Sequence, residues 1–320
     1  MKKVLVITLI MCLGILLLFT GCSSKPAKNE NGGLKIVTTI FPEYDWTMNI
    51  LGEQASKMDV KLLTDKGVDL HSFQPNVTDM TNISDCDILI HVGGESDEFI
   101  EDALQGAVNE NMIVVNLMEV IGDSLKIEEL KEGMDGEAEE DEYDEHIWLS
   151  LKNAETASSA ICDALCEADP DNSELYKANL ETYLKKLSSL DEKYTESISK
   201  MKNKTLIFGD RFPFRYLVDD YGLEYFAAFK GCSSETDASF KTITYLAGKL
   251  DELDASSVLV LEGSNRRIAE AIIQNTKGRN QKILTLDSMQ SVSAEDVKNG
   301  ATYLGIMEDD LKVIEEALSN

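Results

Sequence analysis

From residue 34 onward, short apolar runs rich in β-branched side chains alternate with longer stretches whose apolar positions recur every three or four residues. The runs at 34–39, 58–63, 87–92 and 112–117 predict buried strands, and 43–52, 77–83 and 97–109 predict helices between them. After an acidic interruption the pattern resumes at Ile147. Ser150 is placed to cap a helix that runs to about Ala168 and is stopped by Asp169-Pro170. The longest periodic segment follows: Tyr176, Leu180, Tyr183, Leu184, Leu187, Leu190, Tyr194, Ile198 and Met201 form one stripe along a helix of about 30 residues, roughly 45 Å long. Strands are predicted again at 205–208, 223–226, 258–261 and 282–286, with helices at 214–221, 235–253, 264–276 and 294–318. Strand–helix alternation of this kind builds open, mostly parallel sheets covered on both faces. The expected fold is therefore α/β: an N-terminal lobe at 34–170 and a C-terminal lobe at 204–320, joined by one long rigid helix at 171–203, with a cleft between them. A coiled-coil dimer through the long helix is the rival, but it requires a strict heptad with charges paired at its edges, so a monomer is expected.

The chain begins differently. Lys2 and Lys3, an apolar run at 4–19 and then Thr20-Gly21-Cys22 read as an export signal over 1–21, too short for a spanning helix. The stretch FTGC resembles the lipobox of bacterial lipoproteins, with Phe19 in place of the usual leucine. It implies cleavage before a lipidated Cys22 and anchorage on the outer face of the cell membrane. Residues 22–33 are polar and Gly-containing, as a flexible tether would be.

Charge narrows the partners. The net charge of −28 repels nucleic acid and concentrates cations. Residues 128–145 hold eleven acidic side chains against a single lysine, which predicts a mobile, solvated loop; weak collection of cations is its functional rival. With Cys12 and Cys22 assigned to the leader and the anchor, Cys86, Cys162, Cys166 and Cys232 remain. No CxxC spacing joins them, so free thiols and one long-range disulfide both stay open.

The chain has three histidines. His71 lies in GVDLHSFQP just after a predicted strand, at the carboxyl edge where open α/β sheets bind ligands. His146 lies where the acidic loop gives way to a helix. His91 ends the third strand and is assigned a structural role. Gly93-Gly94 lacks the spacing of a phosphate loop and reads as a tight turn. No HExxH, GxSxG or Walker stretch occurs, so no enzyme is indicated.

GVDLHSFQPNVTD and DEHIWLSLKNA resemble the two histidine motifs of the substrate-binding lipoproteins of zinc and manganese ABC importers, the cluster A-I solute-binding proteins. The likeness continues through GDRFPFRYLVDDYGL, GCSSETDASFKTITYLAGKL, VLVLEGSN and ILTLDS. It implies two α/β lobes bridged by a long helix, a divalent metal carried between them, and an ABC permease as partner. By that resemblance His71 and His146 match the two N-lobe ligands, and Asp287 matches the last C-lobe ligand. The third ligand, a His or Glu in the family, is where this sequence departs. Counting back from Tyr221-Gly222 puts Arg211 there, which has no lone pair to give. Asp210, one residue earlier, is the candidate; Arg211 in a salt bridge is the alternative. Glu262, at the end of VLVL, is expected to support the site from behind, as is Arg211.

Two imidazoles with two carboxylates suit Zn²⁺, and suit Mn²⁺ if a carboxylate or water adds a donor. The Irving–Williams order favours Zn²⁺. The zinc members of the family tend to carry a His-rich loop before the second motif, whereas here no histidine stands between His91 and His146. The rival functions are a secreted metallohydrolase with Glu262 or Glu145 as base, and a surface adhesin with a structural metal.

Overall fold

The computed structural model describes residues 32–136, 142–233 and 237–319. The export signal and most of the tether, with Cys22, lie outside the described residues. Among those described, no helix is long and apolar enough to cross a membrane.

The first lobe contains β1 (Lys35–Thr38), α1 (Phe41–Leu51), β2 (Asp59–Leu62), α2 (Val77–Asp85), β3 (Ile88–His91), α3 (Phe99–Gln105), β4 (Ile113–Asn116) and α4 (Leu117–Ile121). Its strands are all parallel, in the order β2-β1-β3-β4. β3 is buried along its whole length, which is why its sequence is an unbroken apolar run rather than an alternating one. Ser150 caps α5 (Leu151–Ala168) as its position predicts, its Oγ accepting from the Asn153 amide at 3.1 Å.

α6 (Ser173–Lys200) is the long helix, 28 residues and roughly 42 Å. It buries Tyr176, Tyr183, Leu187, Leu190, Tyr194 and Ile198, one face of the predicted stripe. The second lobe follows with β5 (Thr205–Phe212), α7 (Arg215–Tyr221), β6 (Glu224–Lys230), α8 (Phe240–Leu253), β7 (Ser257–Leu261), α9 (Arg267–Gln274), β8 (Lys282–Leu286), α10 (Ala294–Lys298) and α11 (Tyr303–Leu318). Its sheet is parallel in the order β6-β5-β7-β8, so it repeats the strand order of the first lobe. The single helix expected over 294–318 is broken in two at Asn299-Gly300, where Gly300 takes a φ of 103° that a side chain would resist. β5 is longer than expected: its register shifts between Phe208 and Arg211, and Asp210 and Arg211 continue the strand past that irregularity.

The main hydrophobic core is continuous through both lobes and under α6, and smaller cores lie elsewhere in each lobe. Trp46 of α1 meets Tyr303 of α11 edge to face at 5.1 Å. The two halves of α6 are tied to different lobes. Asn179 Nδ2 donates to the Ile50 carbonyl, whereas the Tyr194 hydroxyl donates to the Met307 carbonyl at 2.7 Å.

The acidic loop departs from expectation. Its described parts, 128–136 and 142–145, are docked rather than mobile. The Asp135 amide donates to the Ala228 carbonyl on edge strand β6, and Glu128 and Glu129 pair with Lys230 and Arg215 at 3.1 and 3.2 Å. Lys131 lies 3.8 Å over the Tyr225 ring. Like charges pack here because cations about a hundred positions further along the chain come up to meet them. The most acidic stretch, 137–141, lies outside the described residues.

Candidate metal centre

Both motif histidines are set by the same local device. Asp69 accepts from the His71 amide at 3.0 Å, and Asp144 accepts from the His146 amide at 2.8 Å. Each Asp stands two residues before its histidine and makes an Asx turn that aims the ring. The Asp-x-His spacing in VDLH and DEH is the sequence signal for these turns.

The rings are then locked from behind. Asp144 Oδ1 also accepts from His146 Nδ1 at 2.9 Å. His71 Nδ1 donates to Ser96 Oγ at 2.5 Å, and that hydroxyl in turn donates to Glu145 Oε1, which lies 3.3 Å from the same ring nitrogen. When each ring carries a single proton, on Nδ1, both Nε2 atoms are left with lone pairs, and the two Nε2 atoms face one another 3.1 Å apart. Carboxylate-backed imidazoles of this kind are how proteins hold metal ligands. A tetrahedral ion bound at 2.0–2.1 Å by two imidazoles would set their nitrogens about 3.3 Å apart, so the pair is spaced for one.

His146 is wholly buried, with Trp148 tilted against its ring at 5.2 Å, while His71 opens on a cavity of about 590 Å³ between the lobes. Asp69, Glu145, Asp210, Arg211 and Cys232 also line that cavity. Burial pushes the Glu145 carboxyl up, but the hydrogen bond and charge of His71, then His146 and Ser96, outweigh it and bring it to about 2. Burial pulls His146 down, and Asp144, followed by Glu145 and Glu128, raises it overall.

The folded chain sorts the predicted residues. His71 and His146 are brought together. Asp210 lines the cavity but spends its oxygens on backbone, accepting from the Arg211 amide at 2.9 Å and the Leu261 amide at 3.4 Å. Arg211 crosses the cleft to Asp69 at 2.7 Å, so Asp69 aims His71 with one oxygen and holds the opposite lobe with the other. Asp287 accepts from the Met289 amide at 2.8 Å. Among the described residues, one group of three metal-capable side chains has its donor atoms within 4.8 Å of one another: His71, His146 and Cys232. The carboxylates of Asp210 and Asp287 are not in it. Sequence reasoning passed over Cys232, counting it only as a thiol. Cys86, Cys162 and Cys166 are free thiols, as is Cys232. His91 is buried at the end of β3 with its Nδ1 3.3 Å from Asp97, outside the donor group.

Glu262 accepts from the Ser288 amide and hydroxyl, at 2.8 and 2.6 Å, and Asp310 accepts from the Asp287 amide. The half-buried carboxyls of Glu262 and Asp287 and the buried one of Asp310 are all raised, Glu262 to about 7, first by burial and then by Asp287. A carboxyl raised above its unfolded range stabilises the fold while protonated. That contribution is complete below about pH 4 and is lost as pH rises through about 7. Glu262→Gln keeps the shape and removes the charge. Relative to the parent it should therefore be on the order of 3 kcal/mol more stable at about pH 8 than at about pH 4, by urea denaturation. An equal gain at both would sink the explanation.

A model of the family described as ZnuA, zinc-uptake complex component A, periplasmic, matches residues 36–317. The chain belongs to this family. A curated relative, the zinc-binding lipoprotein AdcA of Streptococcus pneumoniae, is 28% identical over 321 residues, which is 99% of this chain and 61% of that protein. The high-affinity zinc uptake system protein ZnuA of Bacillus subtilis is 25% identical over 315 residues, 94% of each chain. Among solved structures, the Zn(II)-bound ZnuA-like domain of S. pneumoniae AdcA superposes with a TM-score of 0.71 at 26% identity, covering 90% of this chain and all of that one. The two lobes and the bridging helix are the family's architecture. The present chain thus spans about three fifths of the pneumococcal relative but nearly the whole of the Bacillus one.

Proposed function

We propose that the protein is a non-catalytic receptor that captures one divalent transition metal in the interlobe cleft and delivers it to an ABC permease, with Zn²⁺ the preferred cargo and Mn²⁺ next. The facing Nε2 pair of His71 and His146 carries this reading. Two lone pairs 3.1 Å apart repel unless a cation or proton lies between them, and the carboxylates behind hold them there. The zinc-binding relatives support the choice of metal. The carboxylates that a hydrolase would use as base are engaged elsewhere: Glu145 with Ser96 and His71, Glu262 with Ser288. Once the export signal at 1–21 has been removed, a lipid on Cys22 and a tether to residue 33 hold the receptor on the outer face of the membrane.

The shared core and the helix α6 oppose wide opening, so release comes from disturbing the ligands rather than from a hinge. Calorimetric titration of metal-free protein should show one Zn²⁺ per chain, removable by chelator, bound more tightly than Mn²⁺, with scattering showing little compaction. An apo protein that unfolds would instead mean a structural metal.

A further inference from the structure

We infer that Cys232 Sγ, as a thiolate, supplies the third metal ligand and makes the site a soft N₂S set; this rests on the metal-receptor reading above. The histidines belong to the first lobe and Cys232 follows β6 in the second, so an ion held by all three joins the lobes. Gln290 Oε1 of the second lobe lies 3.3 Å from His146 Nε2 but is a neutral amide oxygen, a harder donor than a thiolate, and the two positions that the resemblance points to are occupied. Arg211 stands at the position that the family resemblance assigns to a ligand and is paired with Asp69, and Asp210 accepts from two backbone amides.

The loop bearing Cys232 is built to bring its sulfur in. The Cys232 amide donates to Glu128 Oε1 at 2.9 Å, and the same carboxylate pairs with Lys230 at 3.1 Å. Gly231 lets the backbone press against His146: a Cβ there would lie 3.1 Å from His146 Cε1 and 3.0 Å from the Phe212 carbonyl oxygen. The docked start of the acidic loop thus acts as the brace for this ligand. On binding, the S–H bond breaks and a metal–sulfur bond forms. One proton leaves per ion, through the cavity that Cys232 lines.

Thiolate is a softer donor than the carboxylate or imidazole expected in its place. It favours Zn²⁺ and Co²⁺ over Mn²⁺, and so gives this receptor its metal preference without a histidine-rich loop.

Co²⁺ titration of the metal-free full chain tests the assignment. The parent should develop a thiolate-to-cobalt charge-transfer band in the near ultraviolet, and Cys232→Ser should bind without it. Cys232→Ser should also lose at least about 10-fold in Zn²⁺ affinity, with a smaller loss for Mn²⁺, while its metal-free melting matches the parent. Cys232→His should restore Zn²⁺ affinity without the band, which a merely structural thiol would not allow. Absence of the band in the parent, or its survival in Cys232→Ser, overturns the assignment. If Cys232→Ser binds as tightly as the parent while His146→Ala does not, only the Cys232 assignment fails. If His146→Ala also binds tightly, the receptor site itself is misplaced.

Discussion

His146→Ala should lose more than about 100-fold in Zn²⁺ affinity by competition with a chelator of known strength. Removing a partner behind a metal ligand typically costs about 10–100-fold, and here the ligand itself goes. The residue is fully buried, and its Nδ1 is the donor to Asp144 Oδ1, so alanine also leaves a carboxylate short of a partner. That orphaning alone would destabilise the fold by about 1–3 kcal/mol. His146→Asn separates the two effects, because its amide keeps a donor toward Asp144 while offering no imidazole lone pair. It should stay near parental stability and still fail to bind tightly. Parental affinity in His146→Asn would show that the metal sits elsewhere.

The largest loss of stability should come from Trp148→Ala. Trp148 is 1% exposed, donates through Nε1 to the Ser288 carbonyl at 2.8 Å, and accepts at its own carbonyl from the Tyr303 hydroxyl at 2.6 Å. Both partners lie in the second lobe, so the indole of one first-lobe residue packs His146 from behind and, with that residue's carbonyl, fastens the lobes together. Truncating a buried tryptophan costs about 3–5 kcal/mol through lost contacts and the cavity left behind, and the Ser288 carbonyl loses its donor as well. Urea denaturation should show a loss in that range together with weakened metal binding, since the ring of His146 loses its backing. A loss below about 1 kcal/mol would mean that the seam between the lobes does not depend on this residue.

Features carried by local pattern were readable in the sequence. The apolar runs of the strands, the stripe from Tyr176 to Ile198 and the two histidines in their motifs depend on neighbours a few positions away, and local periodicity records such neighbours. What escaped reading depends on residues far apart in the chain. Arg211 meets Asp69, Glu128 meets Lys230 and the Cys232 amide, and Cys232 meets two histidines of the other lobe. No spacing rule encodes these meetings, because the packing of one lobe on the other makes them. The acidic loop shows the limit best. Counted alone, its charge forbids packing; with Arg215, Lys230 and the ring of Tyr225 beneath Lys131, its described parts dock. The Asp-x-His turns are a different case: they are present in the sequence and short in range, but they leave no mark in the periodicity of apolar positions.

The two sheets share one strand order, which gives the molecule the look of a module used twice. Their continuous core makes that look misleading for anyone exchanging parts between relatives. A lobe transplanted alone would present a raw apolar face and lose the partners of Trp148 and Trp46. Chimeras that respect the core must therefore carry the whole seam, Trp46, Trp148, Ser288 and Tyr303 together, and must keep Asp69 with Arg211 and Glu128 with Lys230 across the cleft.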